Sequence, residues 1–208
     1  LQNVVNHFNF PKSSALALMS TLVDRGYLLK DANDRYHMPA SMRARWAADD
    51  LGQLLVAAHA PMRELNEQFQ ETVILGVLDS ALQVRVLSKI TSAQEVRYDA
   101  DASVPRPAYC TAMGRVLLAF RPLKVQEHYL QRAPFPKLTP SSLTSATSLR
   151  KRLAHARKTG LETVFEEFSL GGSGAAVALR NAHGDVVAAL NVATVTSRSE
   201  EHTSELQS

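Results

Sequence analysis

An α+β fold in two parts is predicted for this chain, on three observations. Residues 1–39 carry short helical patterns, a glycine stop and a small hairpin. Residues 40–70 hold one long helical pattern. Residues 71–197 turn to β-rich runs interrupted by amphipathic helices. With 208 residues, 45% of them hydrophobic and 21% charged, the chain can bury a core.

Taken in order, Val4, Val5 and Phe8 share one helical face, and Phe10-Pro11 ends that helix because proline disfavours α geometry in the residue before it. Ser13 or Ser14 is expected to cap a second helix, whose Leu16, Met19, Leu22 and Val23 recur at three- and four-residue spacing. Gly26 stops it, as a residue able to take positive φ. In "YLLKDANDRYHM" two extended pieces flank Ala32-Asn33-Asp34, a hairpin. Helix, tight turn, helix, hairpin is the order of a winged helix-turn-helix, whose second helix enters the DNA major groove. The same elements also form the edge of other α+β domains, and charge helps to separate the two readings. Residues 1–45 carry six basic side chains (Lys12, Arg25, Lys30, Arg35, Arg43, Arg45) against three acidic ones, an excess equal to the whole chain's +3. Lys12, Ser13 and Ser14 cluster where a helix N-terminus offers free amides to phosphate, and Arg35 stands just past the hairpin tip.

From Pro39 to Gln70 the apolar positions Trp46, Leu54, Leu55, Ala58, Met62 and Leu65 predict helix, with Pro61 expected to bend or split it. Such a segment reads as a linker that also dimerises, or as a plain packing helix. "TVILGVLD" and "LQVRVLSKI" then form a hairpin around Ser80-Ala81. A polar, proline-bearing loop follows, then helices at "TAMGRVLLAF" and "LKVQEHYLQR", the loop "PFPKLTPSSLTSATS", and a basic helix "LRKRLAHARKTG" closed by Gly160. "LETVFEEF", "GAAVALRN" and "DVVAALNVAT" are three strands, the last two joined by Ala182-His183-Gly184. The sum is an antiparallel sheet with helices packed on it. Both ends of the chain read as cut, and residues 198–208, "RSEEHTSELQS", read as a non-native tail resembling a translated sequencing adapter.

No catalytic or metal-binding set emerges, and no cofactor is expected. The seven histidines show no HxxxH or HExxH spacing. "GGSG" at residues 171–174 lacks the lysine and hydroxyl of a phosphate loop and reads as a turn. Cys110, the single cysteine, excludes an internal disulfide and reads as a small apolar filler. Glu166 and Glu167, adjacent on a predicted strand, point opposite ways and make no carboxylate pair. No apolar run approaches the roughly 18 residues of a membrane span, nothing at the start reads as a signal peptide, and the cytoplasm is the expected compartment. Thr111, Ala112, Met113 and Gly114 do put small residues at a helix start, where the dipole favours a carboxylate ligand.

"FPKSSALALMSTLVDRGYL", "RYHM", "YCTAMGRVLLA" and "GDVVAALNVAT", in that order and spacing, resemble the IclR family of bacterial transcription regulators over nearly all of residues 1–197. The resemblance implies a winged helix-turn-helix at residues 1–39 lacking its first helix, a linker helix at 40–70, and a GAF-like effector-binding domain at 71–197 whose C-terminal end is missing. It implies double-stranded operator DNA as partner, a small organic or aromatic acid as effector, and dimers that pair into tetramers. By position, DNA-facing residues would be Lys12, Ser13, Ser14 and Leu16 in the recognition helix and Arg35 in the wing. Ala17 departs from the pattern, standing where many members have arginine. The effector pocket would map to Ala112, Met113 and Gly114, to Gly174 at a strand start, and to Asn191 and Ala193 on the last strand, where alternation puts both on one face. Gly174 replaces a cysteine found in some members, and Asn191 a small hydroxyl residue. Arg97 could neutralise an acid, although a solvated surface arginine is its plainer reading. The chain is thus expected to be an effector-responsive DNA-binding regulator. Its rivals are a small-molecule-binding or enzymatic α+β domain without DNA binding, and a protein-interaction module built on the long helix.

Overall fold

The computed structural model describes residues 1–47, 50–132 and 135–198, without the side chains of residues 44–50. The expectations for Arg45 and Trp46 therefore lie outside the described residues, as does most of the predicted tail. The chain divides into two compact units, Leu1–Ala57 and Ala58–Ser208, and the division falls within the long helical segment.

In the first unit, α1 (Gln2–Phe8) ends at Asn9, which takes a left-handed φ of 51°. The second helix, α2 (Lys12–Asp24), starts earlier than expected. Pro11, with φ held at −54°, occupies the N-cap position, and no side chain caps the helix, so neither Ser13 nor Ser14 plays that part. The helix closes in a Schellman turn: Tyr27 N–H donates to the Leu22 carbonyl at 2.8 Å and Gly26 N–H to that of Val23 at 2.9 Å, with Gly26 at φ 73°. Ala15 and Met19 are its buried positions, one turn apart, whereas Leu16 is exposed. Strands β1 (Leu29–Lys30) and β2 (Tyr36–His37) pair antiparallel, and Lys30 bridges Asp34 at 2.7 Å within that hairpin.

The segment read as one long helix is assigned as α3 (Ala40–Ala47) and α4 (Asp50–Phe69). Pro61 lies inside α4 and does not split it.

The second unit is a six-stranded antiparallel sheet. Its strands are β3 (Thr72–Leu78), β4 (Gln83–Ile90), β5 (Arg106–Pro107), β6 (Leu161–Phe165), β7 (Gly172–Arg180) and β8 (Val186–Val195). Their order is β5-β4-β3-β8-β7-β6. The continuous apolar run of β3 is explained by its place between β4 and β8 in the middle of the sheet, where almost every residue is buried. Helix α5 (Ala112–Ala119) is buried along its whole length, packed on β3, β6, β7 and β8 and against α7 (Ala146–Thr159). The helix α6 (Leu123–Leu130) packs on α7. Ser145 caps α7, so this helix begins three residues before the predicted "LRKR" start. Strand β6 stops at Phe165 because Glu166 turns to φ 54°, while β7 starts two residues earlier than expected. Of the "GGSG" run, Gly171 is in a turn and residues 172–174 are strand. The short β5, on the edge beside β4, was hidden within a loop in the sequence.

Among the described residues, no helix is long and apolar enough to cross a membrane.

Candidate functional site

A cavity of about 420 Å³, counting its open mouth, lies in the second unit between the N-terminus of α5 and the sheet. Its floor is Ile74 of β3 with Asn191 and Ala193 of β8, and Gly174 of β7 pairs directly with Ala193. Strand alternation puts Asn191 and Ala193 on the same wall. A Cβ on Gly174 would stand 3.0 Å from the Asn191 Oδ1, so the glycine leaves room for that amide. Ala112 and Met113 come from the first turn of α5, whose dipole favours negative charge. Thr111 starts this helix: its hydroxyl accepts from Gly114 N–H at 3.2 Å and donates to the Pro107 carbonyl at 3.1 Å.

Five of the six residues mapped to the pocket from sequence thus line one cavity: Ala112, Met113, Gly174, Asn191 and Ala193. Gly114 does not. A Cβ there would fall 2.3 Å from the Ala108 Cα, so its bareness serves the contact between α5 and the 3-10 turn Ala108–Cys110.

Among the lining residues that escaped the sequence reading are Tyr98, Arg106 and Phe168. Arg106 is 5% exposed and is the single formal charge among the described lining residues. Its guanidinium donates to the Asp101 carbonyl at 2.9 Å and lies over the Phe168 ring, 5.7 Å from the centroid. Neither contact is an ion pair, although the Asp101 carboxylate, held below the usual carboxylate range chiefly by its hydrogen bonds from Ser103, lies near enough for the charge of Arg106 to help. Arg97, weighed from sequence as a partner for an acid, instead lies 3.7 Å from Asp99 and donates to the Gln94 carbonyl.

The turn carrying Phe168 and Ser169 is fixed from behind. Fully buried Arg115 of α5 grips the Glu167 carboxylate with both terminal nitrogens and donates to the Tyr109 carbonyl at 2.7 Å. Ser142 donates to the Glu167 carbonyl at 2.7 Å. Glu166 faces elsewhere, accepting from Gly171 N–H at 3.0 Å. Cys110 lines the cavity, and burial pushes its thiol up to about 12, leaving essentially no thiolate at neutral pH. Among the described residues no three histidines, cysteines or carboxylates are grouped to hold a metal.

In the first unit, Lys12, Ser13, Ser14, Leu16 and Arg35 are all exposed. The first four occupy the opening turns of α2, and Arg35 directly precedes β2.

Residues 50–208 match the family model for the C-terminal region of the bacterial transcriptional regulator IclR. The chain belongs to the IclR family. It is 26% identical over 194 residues to the Pca regulon regulatory protein of Pseudomonas putida, an alignment covering 93% of this chain and 67% of that protein. It is 29% identical over 193 residues to the HTH-type transcriptional regulator KdgR of Escherichia coli, covering 90% of this chain and 72% of that one. Among solved structures it is similar to the inducer-binding domain of the PobR transcription factor from Acinetobacter, a double mutant in complex with 3-hydroxybenzoic acid. The TM-score is 0.62 at 27% identity, with 68% of this chain and 83% of that chain covered. The α+β unit with its antiparallel sheet is the IclR effector-binding fold, and these relatives regulate transcription rather than catalyse reactions.

Proposed function

We propose that this IclR-family chain is a DNA-binding regulator whose cavity at the start of α5 takes a small carboxylate, an aromatic acid above all. The observation that carries the ligand reading is Arg106: a buried arginine on the wall of an otherwise uncharged cavity, with the Asp101 carboxylate nearby but not in ion-pair contact. Burying a cation is costly unless an anion or several hydrogen bonds answer it. A carboxylate on Arg106, with the Asn191 amide as a second donor, would satisfy that charge. Tyr98 and Phe168 offer ring faces to an aromatic body, and 3-hydroxybenzoic acid is the ligand in the PobR structure.

The DNA reading rests on the order α1, α2, hairpin, on the exposed Lys12, Ser13, Ser14, Leu16 and Arg35, and on KdgR, an HTH-type regulator matched over most of this chain. Pairing of chains would let two such modules meet two half-sites on operator DNA. The ligand would act only by favouring one arrangement of the modules over another.

Calorimetric titration with 3-hydroxybenzoate tests the pocket. Binding by the wild type that weakens at least tenfold in Arg106→Gln, with folding intact, supports the assignment. Equal binding by both proteins would remove Arg106 from it.

A further inference from the structure

Asn191 stands in the middle of the sheet, opposite Ile74 of β3 on one side and Ala176 of β7 on the other, both buried and apolar. It is 6% exposed and lines the cavity at the start of α5, and among the described residues no hydrogen bond reaches its side chain. An amide held out of water without a partner destabilises the fold, which is a sign that a bound molecule completes it.

Other polar groups lining the cavity are already engaged. Thr111 both donates and accepts, Ser173 shares a hydrogen bond with Thr196 at 2.9 Å, and the Cys110 thiol points at the Pro107 carbonyl at 3.8 Å. Tyr98 and Ser169 are half-buried, and a hydroxyl can turn toward whichever partner it meets. The Asn191 amide has less freedom, since its plane presents donors on one side and an acceptor on the other.

Gly174 adds an independent sign. It lies within strand β7, without the positive φ that calls for glycine. A Cβ there would stand 3.0 Å from the Asn191 Oδ1, 3.4 Å from its Nδ2 and 3.2 Å from the Val192 carbonyl oxygen. That carbonyl belongs to the sheet and cannot yield, so a side chain at this position would push on the amide. The bare position leaves both polar ends of Asn191 open to the cavity.

We infer that Asn191, given room by Gly174, is the specificity-determining residue of this cavity and that it selects a hydroxy acid. The amide nitrogen donates to the carboxylate, and the amide oxygen accepts from a hydroxyl on the same ligand. A carboxylate has no proton to offer that oxygen, so the ligand's second polar group must be a donor. The inference rests on the reading of the cavity as an acid site with Arg106 as its cation.

The test is calorimetric titration of the full chain with the 2-, 3- and 4-hydroxybenzoates, each against the fluorobenzoate of the same substitution, which has no proton to donate. In the wild type at least one hydroxy acid should bind roughly tenfold or more tightly than its fluoro counterpart, because a site built around a hydrogen bond rejects the analogue that lacks it. Asn191→Leu, close in shape and apolar, should keep the thermal unfolding midpoint near the wild-type value and bring that ratio to about one. Gly174→Ala, which keeps the amide but crowds it, should lower the ratio as well, and its ratio decides the matter should Asn191→Leu fail to fold. Arg106→Gln should weaken both members of each pair and leave their ratio unchanged. A wild type that binds every pair equally would overturn the inference and leave the acid reading standing. So would a folded Asn191→Leu protein whose ratio matches the wild type's. If the wild type takes up none of these acids, the acid reading falls and the inference with it.

Discussion

Arg106 and Cys110 sit four residues apart on one cavity wall, and their environments push them to opposite uses. Arg106 keeps its charge without an ion-pair contact, its hydrogen bond going to the Asp101 carbonyl and its face to the Phe168 ring. A hydrogen bond to a charged group contributes about 1.5–3 kcal/mol, so Arg106→Gln should weaken a carboxylate ligand by roughly ten- to a hundredfold. Cys110 is kept neutral by burial, its thiol raised from the ordinary 9.0 to about 12. The sign of the consequence is fixed by linkage: an acid whose folded-state value is raised contributes stability below its unfolded value and loses it as pH rises through the folded one. Urea unfolding at fixed temperature should therefore show a decline between about pH 9 and 12 that is smaller in Cys110→Ala. A disulfide reagent should leave the native thiol untouched at pH 8 and modify it only on unfolding. Identical pH profiles for the two proteins would contradict this account of Cys110.

At the scale of elements, the hinge of the site is the clasp between α5 and the turn after β6. Arg115, Glu162 and Glu167 are almost fully out of water, with Arg152 reaching in from α7. Removing one partner of a buried ion pair costs about 3–5 kcal/mol, because the remaining charge has no water to return to. Arg115→Gln should lower unfolding free energy by that order in urea titrations. It should also weaken 3-hydroxybenzoate, since the freed Glu167 holds the turn bearing Phe168 and Ser169. Normal ligand affinity in a destabilised Arg115→Gln would show that the clasp serves folding alone.

Elements also show what was legible in advance. Asn191 and Ala193 could be placed on one wall from alternation, and Ala112 and Met113 at a helix start from the cap and the run of small residues. Gly114 has the same small-residue appearance but answers to Ala108, a contact made across a turn that no periodicity encodes. Arg106 and Tyr98 lie in a long polar segment whose path depends on β5 docking beside β4 and on Thr72 donating to the Tyr98 carbonyl. Glu71 makes the same point near the other end. It is buried, accepting from Thr194 at 2.7 Å and from Arg198 at 2.6 and 3.0 Å. Arg198, the first residue of the segment read as a foreign tail, thus closes a carboxylate 127 positions away.

For the whole molecule, a first unit of short helices and a hairpin and a cavity-bearing second unit belong to one regulator of the IclR family. The units can be probed separately by charge: Lys12 and Arg35 are exposed on the first, and neither lines the cavity at the start of α5. The most direct measurement is fluorescence anisotropy of labelled DNA from the region flanking the chain's own gene, titrated across a salt series. The account predicts tight binding to one segment over random DNA, with log affinity falling steeply and linearly in log salt. Lys12→Ala and Arg35→Ala should each weaken binding and reduce that slope by about one. Binding without sequence preference or salt dependence, unchanged by either substitution, would contradict the regulator reading and leave a ligand-binding domain in its place.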